Sequence, residues 1–313
     1  MVEIFSEVDQ KNIIVVYGAL RSGSTMLRLI LNQHPDIHCP GETDFAFDYL
    51  SADLQSLDRD GLARDRIFQD SGLTLPQRAG AHGVADMIAE DRARSGKRFY
   101  VLMMHRGMSK LTQVLPHALY IHNLRDPRDV AKSSIGMGWA GNVWHGAGHW
   151  IKTERGWNAA ETDGLTQMTL RYEELVADPE GVLAALCDFV GVAFTPEMLT
   201  YHQQSSYAKV DANLAYQWRR KQSPREVAEV EFLLGDLLER AGYDPSGYPV
   251  KKPGRLRRLS LDVQQKRAVW ARRFERFGYI DPILEAIAHR LKQPQWAYAA
   301  RRRMNETVRK QLK

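Results

Sequence analysis

The chain is poor in cysteine: Cys39 and Cys187 are the only two in 313 residues. Two cysteines cannot build a disulfide framework, and their separation fits no zinc-binding spacing. Such scarcity suits a reducing compartment. An apolar run approaching the ~18–20 residues of a membrane-spanning helix is also lacking. The N-terminal stretch MVEIFSEVDQKN is acidic and polar, without the basic and apolar regions of a secretory signal. The expectation is therefore a cytoplasmic protein. Internal repeats and low-complexity tracts are missing as well. What is present is an ordinary globular balance, 44% hydrophobic and 26% charged, at a length that supports a sizeable core.

Charge is distributed unevenly. Residues 251–313 hold 18 Lys and Arg against five Asp and Glu, so the remainder of this +5 chain is net acidic. The basic tail reads either as a solvated helical appendage or as a surface for an anionic membrane, nucleic acid or an acidic acceptor. The expected division is a main domain over residues 1–250 and a basic helical extension over 251–313. Nothing in the sequence discloses an oligomeric state.

Strand and helix patterns alternate. Residues 12–17 (NIIVVY) are an apolar, β-branched run, followed by a glycine-bearing break and then by helical spacing over 25–32. Residues 99–104 and 118–124 read as further strands, 165–170 as a weaker one, and 109–115 as a short helix. Pro127 and Asp178-Pro179 read as helix starts, with Gly191 as a stop. Strands alternating with helices predict a parallel sheet in an α/β fold. Two segments find no place on it, a mostly helical or irregular stretch over 44–97 and a Gly-, Trp- and His-rich one over 136–157, and residues 205–223 read as a polar loop carrying Lys209, Arg219, Arg220 and Lys221. After Pro253 the pattern is of amphipathic helices broken near Gly278 and Pro294.

A glycine-bearing turn between a buried strand and a helix presents backbone N–H groups and the positive helix end to an anion. The segment Gly18-Ala-Leu-Arg-Ser-Gly23-Ser24-Thr25 departs from the ATP-binding GxxxxGK[ST] loop at one position. Ser24 replaces the lysine, and the cation stands upstream at Arg21. A second segment, Leu124-Arg-Asp-Pro-Arg-Asp-Val-Ala-Lys-Ser133, follows a strand and enters a helix. Arg125 ends the strand, where ligands of open parallel sheets bind, and its guanidinium suits a forked grip on phosphate. Arg128 and Lys132 add charge nearby. Two phosphate sites on successive strand–helix units suggest a nucleotide phosphorylated at both ends.

With these residues in view, ALRSGSTML and LRDPRDVAKSS resemble the two cofactor motifs of sulfotransferases that use 3′-phosphoadenosine 5′-phosphosulfate. RSGSTMLRLILNQHPDIHCPGET is especially similar to the protein-tyrosine sulfotransferase branch and its bacterial relatives. Residues 170–175 (LRYEEL) with 178–180 (DPE), Trp218 and AGYDP at 241–245 extend the resemblance over roughly residues 12–250. It implies a P-loop-like three-layer fold with a central parallel sheet, helical insertions and the C-terminal helical extension, and it implies no metal. By position it assigns Arg21, Ser22, Gly23, Ser24 and Thr25 to the phosphosulfate, Arg125 and Ser133 to the 3′-phosphate, and Tyr172 to adenine.

Sulfuryl transfer needs an activated acceptor oxygen and stabilised charge on the transferring and leaving groups. Arg21 and the loop amides would supply the second requirement. Two residues compete as general base. Glu42, 21 positions after Arg21, stands where the tyrosine branch has a catalytic glutamate. His105 ends a strand roughly where cytosolic members carry a catalytic histidine, and Arg106 beside it can replace a lysine common there. A helix cap and a strand-end polar group are their structural alternatives. The segment 136–150, with Trp139, Trp144, His145, His149 and Trp150, is the candidate lining for the acceptor; three tryptophans at this spacing equally suit core packing. The acceptor is a hydroxyl on a glycan, lipid, metabolite or tyrosine. An anionic membrane is a possible second partner through the tail, making the protein peripheral there, whereas no recognition-helix or aromatic RNA-binding pattern favours nucleic acid. Rival readings are an atypical P-loop kinase, disfavoured by Ser24, and a non-enzymatic nucleotide- or nucleic-acid-binding protein.

Overall fold

Five strands form one sheet in this computed structural model, which describes residues 5–160, 162–205 and 211–312. They are β1 (Ile13–Tyr17), β2 (Ile37–His38), β3 (Phe99–Met104), β4 (Leu119–Leu124) and β5 (Thr166–Arg171). The order is β2-β3-β1-β4-β5, and every neighbouring pair is parallel. A parallel sheet covered on both faces demands strands that are apolar throughout, and β1 and β3 are buried at every position. Ile13, Val15 and Tyr17 enter one core with Tyr100, Leu102 and Met104. Ile14 and Val16 enter the other with Phe99, Val101 and Met103.

Helices complete the layers. α1 (Ser24–Asn32) buries Met26, Leu27, Ile30 and Leu31 in the second core, and α2 (Gly80–Ser95) places Val84, Met87 and Ile88 in the first. α3 (Pro127–Gly136) starts with Pro127 in its first turn, capped by Asp126, whose side chain accepts from the Arg128 N–H at 2.9 Å. α4 (Gly148–Ala159) follows a single turn at Val143–Gly146, so the unplaced 136–157 stretch is largely helical. α5 (Pro179–Val190) begins at an Asp178 cap and ends at Gly191, φ 82°, as its sequence signals predict. β5 is an edge strand with Thr166, Gln167 and Thr169 exposed, which explains its weak apolar signal.

The chain leaves β1 for β2 and β3 on one side, then crosses to β4 on the other. The crevice beyond the carboxyl end of β1 is thus the topological switch point of the sheet. Farther along come α6 (Pro224–Leu234) and the tail helices α7 (Arg255–Phe277), α8 (Ile280–Arg290) and α9 (Pro294–Leu312). The breaks expected at Gly278 and Pro294 fall at their junctions. The tail lies against the body. Arg257 grips Glu229 of α6 with Nε at 2.6 Å and Nη2 at 2.9 Å. Asn142 Nδ2 donates to the Leu261 carbonyl at 2.8 Å, and Arg309 Nε donates to Asp70 at 2.7 Å.

Candidate active site

Each strand delivers one of the singled-out residues beyond its carboxyl end. β1 runs into the 18–25 loop, β2 is followed by Glu42, β3 by His105, β4 by Arg125, and β5 by Tyr172. The loop is shaped by close approach. A Cβ on Gly18 would overlap the Asn123 carbonyl, and one on Gly23 would sit 2.5 Å from the Tyr172 ring. Gly23 takes φ 88° and Arg21 takes φ 75° despite its side chain, a left-handed conformation that costs a non-glycine residue about 1–2 kcal/mol. Gly23 has no side chain to cap α1, so the first-turn N–H groups remain directed at the loop's concave side.

The second motif closes on the first. Arg21 Nε donates to Ser133 Oγ at 3.0 Å. Arg125 Nη1 donates to the Arg21 carbonyl at 3.0 Å and Nη2 to the Leu214 carbonyl at 3.3 Å. The Arg125 guanidinium carbon lies 4.1 Å from the centroid of the Tyr172 ring. Arg21, Ser22, Gly23, Arg125, Ser133 and Tyr172 are therefore one constellation. Ser22 Oγ and Arg125 Nε are buried without a hydrogen-bond partner among the described residues. Buried polar atoms are nearly always satisfied, and each unmet one costs about 1–3 kcal/mol. A nucleotide bearing phosphate groups fits these orphaned donors and the uncapped helix start.

His105 is almost fully buried. Its Nδ1 faces the Gly18 carbonyl at 2.7 Å. A carbonyl only accepts, so the neutral ring carries its hydrogen on Nδ1, and Nε2, which has no partner among the described residues, keeps a lone pair. The His105 N–H donates to Asp44 at 2.9 Å, and Thr153 Oγ1 donates to the His105 carbonyl at 2.9 Å. Burial pushes the Asp44 carboxyl up, against the pull of His105 and Arg106. Arg106 is engaged by Asp48 and, at 3.6 Å, by Asp44. Glu42 is exposed and bridges Met103 in parallel register. It lines an open pocket of about 290 Å³ with Ser24, Thr25, Arg28 and Arg66. Ser24, Thr25 and one candidate base thus share a cleft, while the other candidate base abuts the root of the loop.

The remaining singled-out residues divide by burial. Arg128, which adds charge to the second motif in the sequence, is tied up inside the protein. It is buried, donating to Asp126 through Nε at 2.9 Å and Nη2 at 2.7 Å and to Glu231 at 2.7 Å, with its guanidinium carbon 3.9 Å from the centroid of the Trp218 ring. Trp150 takes the core-packing role, one of the two that its spacing suits. It is fully buried and donates to the Arg125 carbonyl at 3.1 Å, and Trp144 stacks on Phe232. Of the three tryptophans Trp139 alone is exposed. His149 braces the 18–25 loop: Nε2 donates to the Leu20 carbonyl at 3.0 Å. Burial, with His105 and Arg21 nearby, lowers its basicity, although the carbonyl bond works the other way. In AGYDP, Tyr243 donates to Glu173 at 3.0 Å, and the Asp244 carbonyl accepts from Arg128. The polar loop contains turns at Ala212–Leu214 and Trp218–Lys221, and Lys209 lies outside the described residues. Sequence reasoning missed Arg28 and Arg66 beside Glu42; Arg28, one turn beyond Ser24 and Thr25, could have been found by helical spacing. Among the described residues no group of three or more His, Cys, Asp or Glu is arranged to hold a metal ion.

A glycine-bearing loop at the switch point of a parallel α/β sheet, with arginines beyond two strand ends, is the frame of a group-transfer protein. The profile of the sulfotransferase family matches residues 13–196, and the chain belongs to that family. Protein-tyrosine sulfotransferase 1 of Danio rerio is 24% identical over 271 residues, covering 76% of this chain and 74% of that protein. Protein-tyrosine sulfotransferase A of Caenorhabditis elegans is 24% identical over 294 residues, covering 82% and 74%. Among solved structures, the sulfotransferase domain from the curacin biosynthetic pathway superposes with a TM-score of 0.52 at 21% identity. That match covers 74% of this chain and 98% of that one, a likeness of fold.

Proposed function

We propose that the protein moves a sulfuryl group from 3′-phosphoadenosine 5′-phosphosulfate to an acceptor hydroxyl by in-line transfer, without a metal. The joining of the two motifs through Arg21 and Ser133 carries the reading, because it brings two anion-binding segments into one site. In this reading the loop N–H groups, Ser22, Ser24 and Thr25 hold the 5′-phosphosulfate, Arg125 and Ser133 hold the 3′-phosphate, and Tyr172 faces adenine. As the acceptor oxygen bonds to sulfur, the bond from sulfur to the 5′-phosphate oxygen breaks. Arg21 and the helix start stabilise the charge that develops on that oxygen. The acceptor proton passes to Glu42, with His105 as the rival base.

Catalysis is assigned to residues 1–250 and the extension to 251–313. Both cysteines are free and buried, which supports a reducing, cytoplasmic setting. Tyrosine is the acceptor named by the relatives; glycan, lipid and metabolite hydroxyls are equally compatible with the exposed Glu42 cleft. Incubation with sulfur-labelled donor and a panel of these acceptors, read by mass spectrometry, should add the mass of one SO₃ group. Thermal shift should show stabilisation by adenosine 3′,5′-bisphosphate and none by ATP. Stabilisation by ATP alone would turn the assignment to a kinase.

A further inference from the structure

We infer that α7 and α8 form an interfacial surface that docks this protein on an anionic lipid bilayer. The argument is independent of which donor the active site takes.

α8 is built inside out. Pro282, Glu285 and Ala288 face inward and are buried. Ile280 is 73% exposed, and Ile283, Leu284, Ile287 and the adjoining Leu291 are between 41% and 57% exposed. At 100° per residue these five apolar side chains fall within an arc of about 100°. A helix that merely covered the body would bury that stripe and expose its carboxylate. Here the carboxylate of Glu285 is inside, held by Arg273 and Arg301, and the aliphatic stripe points away.

α7 repeats the arrangement. Leu261 is buried, and Arg257 and Gln265 bond to the body. The opposite face presents Leu256, 84% exposed, with Leu259 at 61% and Val263 at 48%. The same azimuth continues through Trp270 and Phe274. Trp270 and Phe274 are 5.2 Å apart by ring centroids, and Phe274 and Tyr279 are 4.8 Å apart, so the two stripes join through aromatic rings.

Charge selects the occupant. Arg255, Arg258, Lys266, Arg267, Arg290 and Lys292 are all exposed along these helices and their junction, in a tail with a large basic excess. A second copy of the chain would set two strongly basic surfaces against each other. A nucleic acid would satisfy the charge and leave the aliphatic stripe in water. An anionic bilayer takes both, because apolar side chains enter the acyl boundary while Lys and Arg stay among the headgroups. Exposed Tyr279 and Trp296 have the amphipathic rings that favour that boundary. Among the described residues no helix is long and apolar enough to cross a membrane; the geometry is one of lying on the surface.

The full-length protein should co-sediment with vesicles of phosphatidylcholine and phosphatidylglycerol, and far less with phosphatidylcholine alone. Combining Ile283→Ser, Leu284→Ser and Ile287→Ser should lower partitioning by about tenfold or more. These side chains face outward, so the circular dichroism spectrum and melting temperature should be unchanged, and those measurements report folding whatever nucleotide the site takes. Leu256→Ser with Leu259→Ser, on the other helix, should act in the same direction. Wild-type protein left in the supernatant with anionic vesicles would overturn the inference. So would serine variants that sediment like wild type, or a dimer in sedimentation velocity that the serine variants abolish while vesicle binding is unaltered.

Discussion

At the scale of single residues, the proposed base and the proposed nucleotide grip stand apart. Glu42 is exposed in the cleft beside Ser24 and Thr25 and takes no part in the fixed network around Arg125. Glu42→Gln should therefore keep product-nucleotide affinity by calorimetry and lose turnover by about 10²–10⁴-fold. Near-normal turnover would move the role to His105, whose Nε2 points from the root of the loop. His149 offers a test by pH. Its folded value lies below the ordinary imidazole value of 6.5, first because burial disfavours the charged ring. The unfolded chain then binds the proton first as pH falls. The contribution to stability is complete above about 6.5 and declines on acidification towards the folded value. His149→Gln retains an N–H for the Leu20 carbonyl and does not titrate. Thermal melts against pH should show wild type losing stability below 6.5 more steeply than this variant; parallel curves would mean that His149 is not the group responsible.

At the scale of elements, the start of α3 shows both what sequence discloses and what it hides. Arg125 and Arg128 look alike in the sequence, two arginines near a strand end. Arg125 keeps a buried donor unmet beside the anion loop, whereas Arg128 is fully spent on Asp126 and Glu231. Arg125→Ala should cost roughly 10–100-fold in nucleotide affinity, as loss of a charge-assisted hydrogen bond does, with little change in melting temperature. Arg128→Ala leaves Glu231 and Asp126 buried and uncompensated and should remove about 3–5 kcal/mol of stability, read by chemical denaturation. Equal effects of the two changes on stability would erase the distinction. The difference was illegible because the partner Glu231 is 103 positions away, and burial there is a product of tertiary packing. β1 and β3 were legible as continuous apolar runs, β4 as a mostly apolar one interrupted by His122 and Asn123, and the loop between β1 and α1 by its glycines. β2 escaped notice because two residues make no run. Glu42 was found through resemblance, since nothing in periodicity marks a carboxylate beyond so short a strand. The tryptophans of 139–150 were ambiguous because a buried ring and an exposed one read the same in sequence.

At the scale of the whole molecule, the basic tail and the acidic body meet close to the candidate site. α7 lies on the 138–142 turn, that turn leads towards α4, and α4 carries His149 to the Leu20 carbonyl of the 18–25 loop. The contact depends on a missing side chain. A Cβ on Gly141 would lie 2.7 Å from the Gln264 carbonyl and 2.8 Å from Gln265 Cα, both backbone atoms of a long helix that cannot yield locally. Gly141→Val should push α7 off the turn, break the bond from the Gly141 N–H to Gln265 at 2.6 Å, and destabilise the fold by about 1–3 kcal/mol, the usual range for overpacking. Hydrogen exchange should quicken over 255–277 while the β1 and β3 amides stay protected, because local opening need not involve the core. If the turn also positions α4, product-nucleotide affinity should fall a few-fold in the same variant and recover in one shortened before α7, where nothing is left to collide with. Unchanged exchange over 255–277 would show that the helix tolerates the extra side chain and that the tail is coupled to the body elsewhere, through Arg257 and Arg309.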